Sequence, residues 1–304
     1  MQTKVAVIGE CMLELSQLTD KADAHSRSMK MSYGGDTLNT SIYLSRGGIA
    51  TTYVTALGDD TNSDWLISEW QQEKIDCSMI ERMPNSVPGM YMIDIDDHGE
   101  RSFFYWRKNS PASRLFDDNE KVAELFSQLH NFNHLYLSGI SLAILPTNSL
   151  SRLFDYLTEY RAKGGKIIFD GNYRPGLWQN TEIAQQAYQA MYKITDIALP
   201  TLEDEELLFG FDTAEKLIDV IRGHGVGEIV VKMGGEGCLV YCDQITEYVS
   251  ATPTTPVDTT AAGDSFNAGY LAARFSGAKA VDACNAGHQL ASKVIQHRGA
   301  IIPA

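Results

Sequence analysis

The sequence predicts an α/β domain: a mainly parallel sheet between layers of helices, carrying a small antiparallel β lid. Three observations support this. Short β-branched runs alternate with stretches of helical period along most of the chain, the pattern that sets parallel strands side by side with helices on both faces. One segment, residues 88–107, breaks the alternation with two β-rich runs about a turn sequence. No Pro/Ser-rich linker, low-complexity tract or internal repeat divides the 304 residues, so a single domain spanning 1–304 is expected.

KVAVIG at 4–9 reads as a buried strand, short, β-branched and stopped by Gly9. Residues 11–33 lack helical period and read as extended or irregular. Asp36 to Arg46 reads as a helix, TTYVTAL (51–57) as a strand, and Thr61 to Glu73 as a helix with polar residues available to cap it. Within 88–107, DDHGE with Gly99 marks a hairpin turn. Strands follow at HLYLSG (134–139) and KIIFDGN (166–172), with helices after them at Asn148 to Ala162 and Glu182 to Tyr192. DIALP (196–200), EIVVKM (228–233) and CLVYC (238–242) are strands, and helices at about 262–275 and 279–296 close the chain. Residues 11–33 and 88–108 are expected to form the lid, which would exclude water from chemistry beneath it. In such folds ligands sit at the carboxyl ends of the strands.

Composition excludes several classes. Hydrophobic residues make up 44% and charged residues 21%, as in ordinary globular proteins, and no apolar run approaches the ~18 residues of a membrane span. Lys4 is followed only by VAVIG, too short for the core of a secretion signal, so a cytoplasmic location is expected. A net charge of −14 without a Lys/Arg cluster argues against a nucleic-acid partner; an anionic ligand would need a local positive site. The five cysteines are odd in number and form no CxxC pair, which favours reduced thiols. Cys238 and Cys242 fall on one face of a strand and read as packing. His130 and His134 have metal-pair spacing, but HNFNH lies between an apolar pattern and a strand, so packing is expected there too.

The chain has no GxxxxGK[ST] phosphate loop, no GxGxxG after its first strand and no GxSxG elbow. What it does have is DTTAAGDSFNAGYLAA at 258–273. A helix N-terminus carries unpaired N–H groups and partial positive charge, and small residues let an anion approach that backbone. Ala261, Ala262 and Gly263 therefore read as an anion cradle. Asp264 opposes mere anion binding, but fits if it removes a proton from a hydroxyl while the amides bear the charge on a transferred phosphoryl group. Taken alone, the segment fits equally well an aspartate held in a first turn by the helix dipole.

This stretch resembles the C-terminal signature of the ribokinase-like (PfkB) carbohydrate kinases. Gly34, Gly35, Asn39, Ser41, Gly48 and Gly58 resemble the N-terminal signature, with Thr37 standing where the family usually has a smaller residue. The resemblance covers essentially the whole chain and implies a ribokinase-like three-layer sandwich. Within the family, AVIGECMLELS, YGGDTLNTS, ERSFFYWR, FDGNYRPGLW and HRGAIIP resemble the members that phosphorylate 2-keto-3-deoxygluconate. The resemblance implies Asp264 as catalytic base and the amides of Ala261, Ala262 and Gly263 as anion hole. It implies a sugar-binding loop at Gly34, Gly35 and Asp36, with Thr37 and Leu38 beside them. It further implies ATP contacts from Asn172, Arg174, Lys232, Gly234, Gly235, Gly237, Ala261, Gly263, Asn285 and His288. The alternatives for these are a β-turn role for the Gly-rich loop and a core or surface role for His288. Cofactors implied are ATP and Mg2+, with a monovalent cation left open and no protein ligand of the metal assigned. The family's N-x-x-E reads here as Thr201-Leu-Glu-Asp204, which keeps an acidic group but changes the metal's surroundings.

Residue chemistry narrows the sugar. Arg107 ends the lid hairpin and Arg174 follows the 166–172 strand, and a guanidinium matches a carboxylate bidentately. Tyr91 and Tyr105 add phenol hydrogen bonds and apolar cover. A carboxylated substrate is expected, against a surface role for Arg107 and an ion pair or phosphate contact for Arg174. The alternatives are kinases of fructose or ketodeoxygalactonate, and a non-catalytic sugar-binding regulator; an oxidoreductase is disfavoured by the missing GxGxxG. The apolar hairpin residues Met90, Ile93, Phe103 and Phe104 are compatible with a homodimer through the lid, as in the family, or with simple packing.

Overall fold

A computed structural model describes residues 3–18, 27–95 and 101–304. The DDHGE turn and residues 19–26 of the lid lie outside the described residues. In chain order the strands and helices are β1 (Lys4–Ile8), β2 (Met12–Gln17), β3 (Met29–Gly34), α1 (Asp36–Arg46), β4 (Ala50–Gly58), α2 (Thr61–Gln72), β5 (Ile80–Met83), β6 (Gly89–Ile95) and β7 (Arg101–Trp106). There follow α3 (Asn119–Leu129), β8 (His134–Ser138), α4 (Gly139–Ala143), α5 (Thr147–Ala162), β9 (Lys166–Asp170), α6 (Thr181–Tyr192), β10 (Ile197–Ala198), α7 (Leu202–Phe209) and α8 (Ala214–Gly223). The chain closes with β11 (Glu228–Lys232), β12 (Gly237–Cys242), β13 (Ile245–Ser250), α9 (Ala262–Phe275) and α10 (Ala280–Val294).

The main sheet has the order β13-β12-β11-β10-β9-β8-β1-β4-β5, parallel from β11 to β5 and antiparallel at the β12 and β13 edge. β1 lies inside it, and its side chains divide by the two-residue period of a strand. Ala6 and Ile8 join a core with residues of α3, α5, α6 and α8, whereas Val5 and Val7 join one with α1, α2, α9 and α10. Two apolar cores on two sheet faces make the three-layer sandwich, and they explain why the strands read as continuous apolar runs.

The lid is a separate sheet of order β3-β2-β6-β7. It is mixed, which corrects the expectation of an antiparallel lid: β2 pairs with β6 in parallel, while the β2–β3 and β6–β7 pairs are antiparallel. β2 follows β1 and β6 follows β5. These two feeder strands run the same way in the main sheet, so their continuations leave its carboxyl end side by side. His130 caps the end of α3 and His134 opens β8; their rings lie against Tyr156 and Phe275, respectively, as packing groups. Among the described residues, no His/Cys/Asp/Glu group is arranged to hold a metal, and no helix is long and apolar enough to cross a membrane.

Candidate active site

One cavity of about 1050 Å3 opens between the carboxyl ends of the main-sheet strands and the lid. Its floor is the start of α9. Asp258 accepts from the Thr260 amide (3.1 Å) and hydroxyl (2.6 Å) and from the Gly299 amide (3.0 Å), which fixes the loop before the helix. Ala261 then takes a left-handed conformation, φ 61°, a strained state for a residue with a Cβ that the surrounding contacts hold in place. The Ala262 amide is engaged by the Thr259 carbonyl at 3.2 Å. First-turn amides such as those of Gly263 and Asp264 have no acceptor within their own helix. Of the three amides expected to form the cradle, that of Ala262 is thus engaged by the loop before the helix.

Asp264 lies at this helix start and accepts from Asn39 Nδ2 at 2.8 Å. Burial pushes its carboxyl up to about 8, helped by the Asp36 and Asp170 carboxylates; the Asn39 hydrogen bond and the Lys232 ammonium oppose the rise. A carboxyl at that level takes and returns protons near neutral pH. Asp36, first in α1, accepts from Asn172 Nδ2 at 2.8 Å, and burial raises it too. Lys232 Nζ sits 2.9 Å from Asp170 Oδ1, a pair with side chains 9% and 3% exposed. A Cβ on Gly263 would stand 3.6 Å from that same Nζ. The ammonium therefore flanks the start of α9, and both line the cavity.

The lid contributes the other wall. Gly35 has a steric reason: a Cβ there would come within 2.3 Å of the Glu10 carbonyl. Gly34 faces Tyr91, whose hydroxyl would lie 3.1 Å from a Cβ. Tyr91 donates to Glu14 at 2.5 Å, so its hydroxyl offers the cavity an acceptor. Tyr105 packs beside it at 5.8 Å. Arg107 lines the cavity with its side chain 10% exposed, ion-paired with Glu10, and its Nε is buried without a partner. A surface-charge role for Arg107 is thereby excluded. Arg174 also lines the cavity, half-exposed and paired with Asp204 at 3.0 Å, the ion pair that stood as its alternative.

The remaining expectations fall elsewhere. Thr37 and Leu38 point from α1 into the core, Thr37 toward the Tyr53 hydroxyl at 3.1 Å, so their side chains are not sugar contacts. Gly234 and Gly235 form an exposed turn after β11, outside the cavity lining. Gly237 opens β12 where a Cβ would meet the Val249 carbonyl at 2.2 Å, a structural demand. Asn285 is exposed on α10, and His288 is buried against Phe266 at 4.9 Å with Nε2 unpartnered. Neither lines the cavity with Asp264. Asn39, Asp170 and Glu10 are site residues that residue-type reasoning passes over. Asn39 was findable as the i+3 neighbour of Asp36 on one helix face, and Asp170 as the first residue of the DGNYR run.

The Asp264 carboxyl, the start of α9 with the Lys232 ammonium beside it, and the Arg107 guanidinium share one cavity, an arrangement compatible with phosphoryl transfer. Comparison with known proteins agrees. The pfkB family carbohydrate kinase profile matches residues 2–304. A 2-dehydro-3-deoxygluconokinase of Escherichia coli (strain K12) is 47% identical, with 100% of this chain and 98% of that protein covered. The crystal structure of a PfkB protein from Polaromonas sp. JS666 superposes with a TM-score of 0.84 at 26% identity, covering 97% and 96% of the two chains. A putative ribokinase II from E. coli, solved in complex with ATP and Mg2+, shares the fold, with a TM-score of 0.83 at 24% identity and coverage of 98% and 94%. With a family match over nearly its whole length and a relative 47% identical over all of it, the chain belongs to the pfkB family of carbohydrate kinases.

Proposed function

We propose that this kinase transfers the γ-phosphoryl group of ATP to 2-keto-3-deoxy-D-gluconate, giving the 6-phospho product. The observation that carries the acid-sugar reading is Arg107, a nearly buried arginine that lines the cavity holding Asp264. In a protein of net charge −14, that is the local positive site a carboxylate needs. The 47% identity to a kinase of that name supports the same substrate.

The donor set fits ATP, since the Lys232 ammonium beside Gly263 at the start of α9 suits a phosphate. It fits Mg2+ held mainly by phosphate oxygens and water, because Asp170 and Asp204 are already paired with Lys232 and Arg174. When bound, ATP and its Mg2+ supply the phosphoryl group and charge neutralisation. The chain does the rest. Arg107, with Tyr91, Asp36 and the Gly34-Gly35 loop, orients the sugar so that its terminal hydroxyl faces Asp264. Asp264 accepts the hydroxyl proton as the oxygen attacks. The first-turn amides of α9 and Lys232 bear charge on the equatorial oxygens, and the lid limits water. Asn172 serves by holding Asp36, and Arg174 by flanking the phosphate side of the cavity with Asp204. A homodimer through the lid is part of this reading, because Phe104 and Trp106, on the strand face opposite the cavity-lining Phe103 and Tyr105, are about half exposed.

A coupled ADP-release assay over a sugar panel tests the substrate. Turnover of 2-keto-3-deoxygluconate well above that of fructose, ribose and 2-keto-3-deoxygalactonate is expected. Faster turnover of a neutral sugar would overturn the assignment.

A further inference from the structure

We propose that Glu10 is a positioning residue that sets the preference for an acid sugar over a neutral one by fixing Arg107 before substrate arrives. The proposal rests on the acid-sugar reading above and deepens it.

The first lid strand is read in steps of two. Cys11 and Leu13 enter the core, while Met12 lines the cavity. Glu10 and Glu14 lie two residues to either side of Met12, and each takes a hydrogen bond from a cavity-lining residue: Glu10 from Arg107, Glu14 from Tyr91. Glu10 is the more deeply placed, its side chain 1% exposed. It accepts from Arg107 Nη2 and from the Ser110 hydroxyl, and these two donors belong to one turn, closed by the Ser110 amide on the Arg107 carbonyl at 3.0 Å. The third boundary is Gly89, where a Cβ would come within 3.0 Å of Glu10 Oε1 and 3.3 Å of the Arg107 Cβ. Two donors, one acceptor and a glycine that leaves them room make a built site, and the arginine it holds lines the cavity.

The physical consequence is discrimination. A free arginine side chain loses rotamer entropy when it binds; one already clamped by Glu10 does not lose it again. Glu10 also keeps the buried cation paired while the cavity holds no substrate. A carboxylate in the cavity pairs with the guanidinium that lines it. A neutral sugar brings no negative charge to that guanidinium and forfeits the charge-assisted hydrogen bonds, a loss of the kind that gives polar sites their selectivity.

The test uses the full chain and four proteins: wild type, Glu10→Gln, Arg107→Ala and the double variant. KM and kcat are measured with 2-keto-3-deoxygluconate, fructose and ATP. Glu10→Gln is expected to raise the KM for the acid sugar about tenfold, the scale of one charge-assisted hydrogen bond. The KM values for ATP and fructose should stay within about twofold. In the Arg107→Ala background, Glu10→Gln should add nothing further, because Glu10 acts through that arginine. Ser110→Ala should raise the acid-sugar KM in the same direction and to a smaller extent, and it carries the test alone if Glu10→Gln does not fold. An unchanged acid-sugar KM in the folded variant, effects that add fully in the double variant, or an equal rise for ATP would each overturn the proposal. A wild type that prefers fructose overturns the acid-sugar reading itself, a result visible before any variant is made.

Discussion

Asn39 on α1 donates to the Asp264 carboxylate on α9 at 2.8 Å, a bond between residues 225 apart in sequence. It is the one direct side-chain donor among the groups that act on Asp264, and it favours the ionised form that burial, Asp36 and Asp170 disfavour. Ionised Asp264 is the form that can accept a proton. With its carboxyl at about 8, kcat/KM should climb with pH up to about 8 and then level. Asn39→Ala removes a group that holds the value down, so the ascending limb should move to higher pH and activity at pH 7 should fall more than activity at pH 9. A pH–rate profile of the two proteins checks this, and coincident limbs would refute it.

Asp264→Asn should lower kcat by about 10²–10⁴-fold, the usual contribution of a positioned base, with KM little changed. It should also affect stability in a pH-dependent way. The folded-state value lies above the unfolded value of 3.8, so between about 4 and 8 the folded wild type holds a proton that the unfolded chain has lost. Wild-type stability therefore falls as pH rises through that window, and the asparagine variant escapes this loss. The melting-temperature advantage of Asp264→Asn should grow from pH 5 to pH 8. An advantage that shrinks over that range would remove the buried carboxyl as its source.

Lys232 and Asp170 form a pair with both side chains nearly covered, beside the cradle. Lys232→Met should lower kcat by about 10²-fold, on the scale of one lost oxyanion donor, and should destabilise the fold because Asp170 is left as an unpaired buried charge, at a cost of about 3–5 kcal/mol. Asp170→Asn keeps the ammonium but frees it, so a smaller loss of kcat is expected. Urea titration with steady-state kinetics separates the two effects. A Lys232→Met enzyme with normal kcat would place the charge stabilisation elsewhere.

Much of this was legible in the sequence because it is local. The bounds of α1 and α9 follow from apolar periodicity and their flanking small residues, and the α9 start announces its chemistry through DTTAAGD. The main-sheet strands are legible because two-sided burial makes them continuous apolar runs. The helices α3, α4, α7 and α8 and the strands β5 and β13 are not among the elements expected from the sequence; β13 is exposed at nearly every position and so lacks an apolar signal. The parallel β2–β6 pairing was not legible, since it depends on where β1 and β5 lie in another sheet. Nor were the pairs Glu10–Arg107 and Lys232–Asp170, which join residues far apart in the chain whose types alone suit any surface. Thr37 and Leu38 show the converse limit. They adjoin Asp36 in sequence, but a helix turns about 100° per residue and carries them into the core.

Gly35→Ala offers a steric test of the sugar loop. Its Cβ would stand 2.3 Å from the Glu10 backbone carbonyl, a contact that no side-chain rotation relieves. Either the start of α1 or the segment leading into β2 must move, and each carries a site residue, Asp36 on one and Glu10 on the other. Loss of most activity with a lowered melting temperature is expected. Gly176→Ala, where a Cβ meets open space, is the control and should leave the melting temperature within a degree or two. Equal behaviour of the two variants would show that the close approach at Gly35 is relaxed in solution.

Arg174 separates a binding role from a structural one. Its ion pair with Asp204 is half-exposed on the arginine side, and such pairs contribute about 0–1 kcal/mol. Arg174→Ala should therefore leave the melting temperature nearly unchanged. Its place on the cavity wall predicts a clear kinetic effect nonetheless: a KM rise of about tenfold for ATP or for the acid sugar, but not equally for both. A rise confined to ATP assigns Arg174 to the phosphate side with Asp204, and one confined to the sugar gives the carboxylate a second guanidinium beside Arg107. If neither KM moves, Arg174 is only Asp204's counter-ion, and Arg107 is left as the cation that selects the substrate.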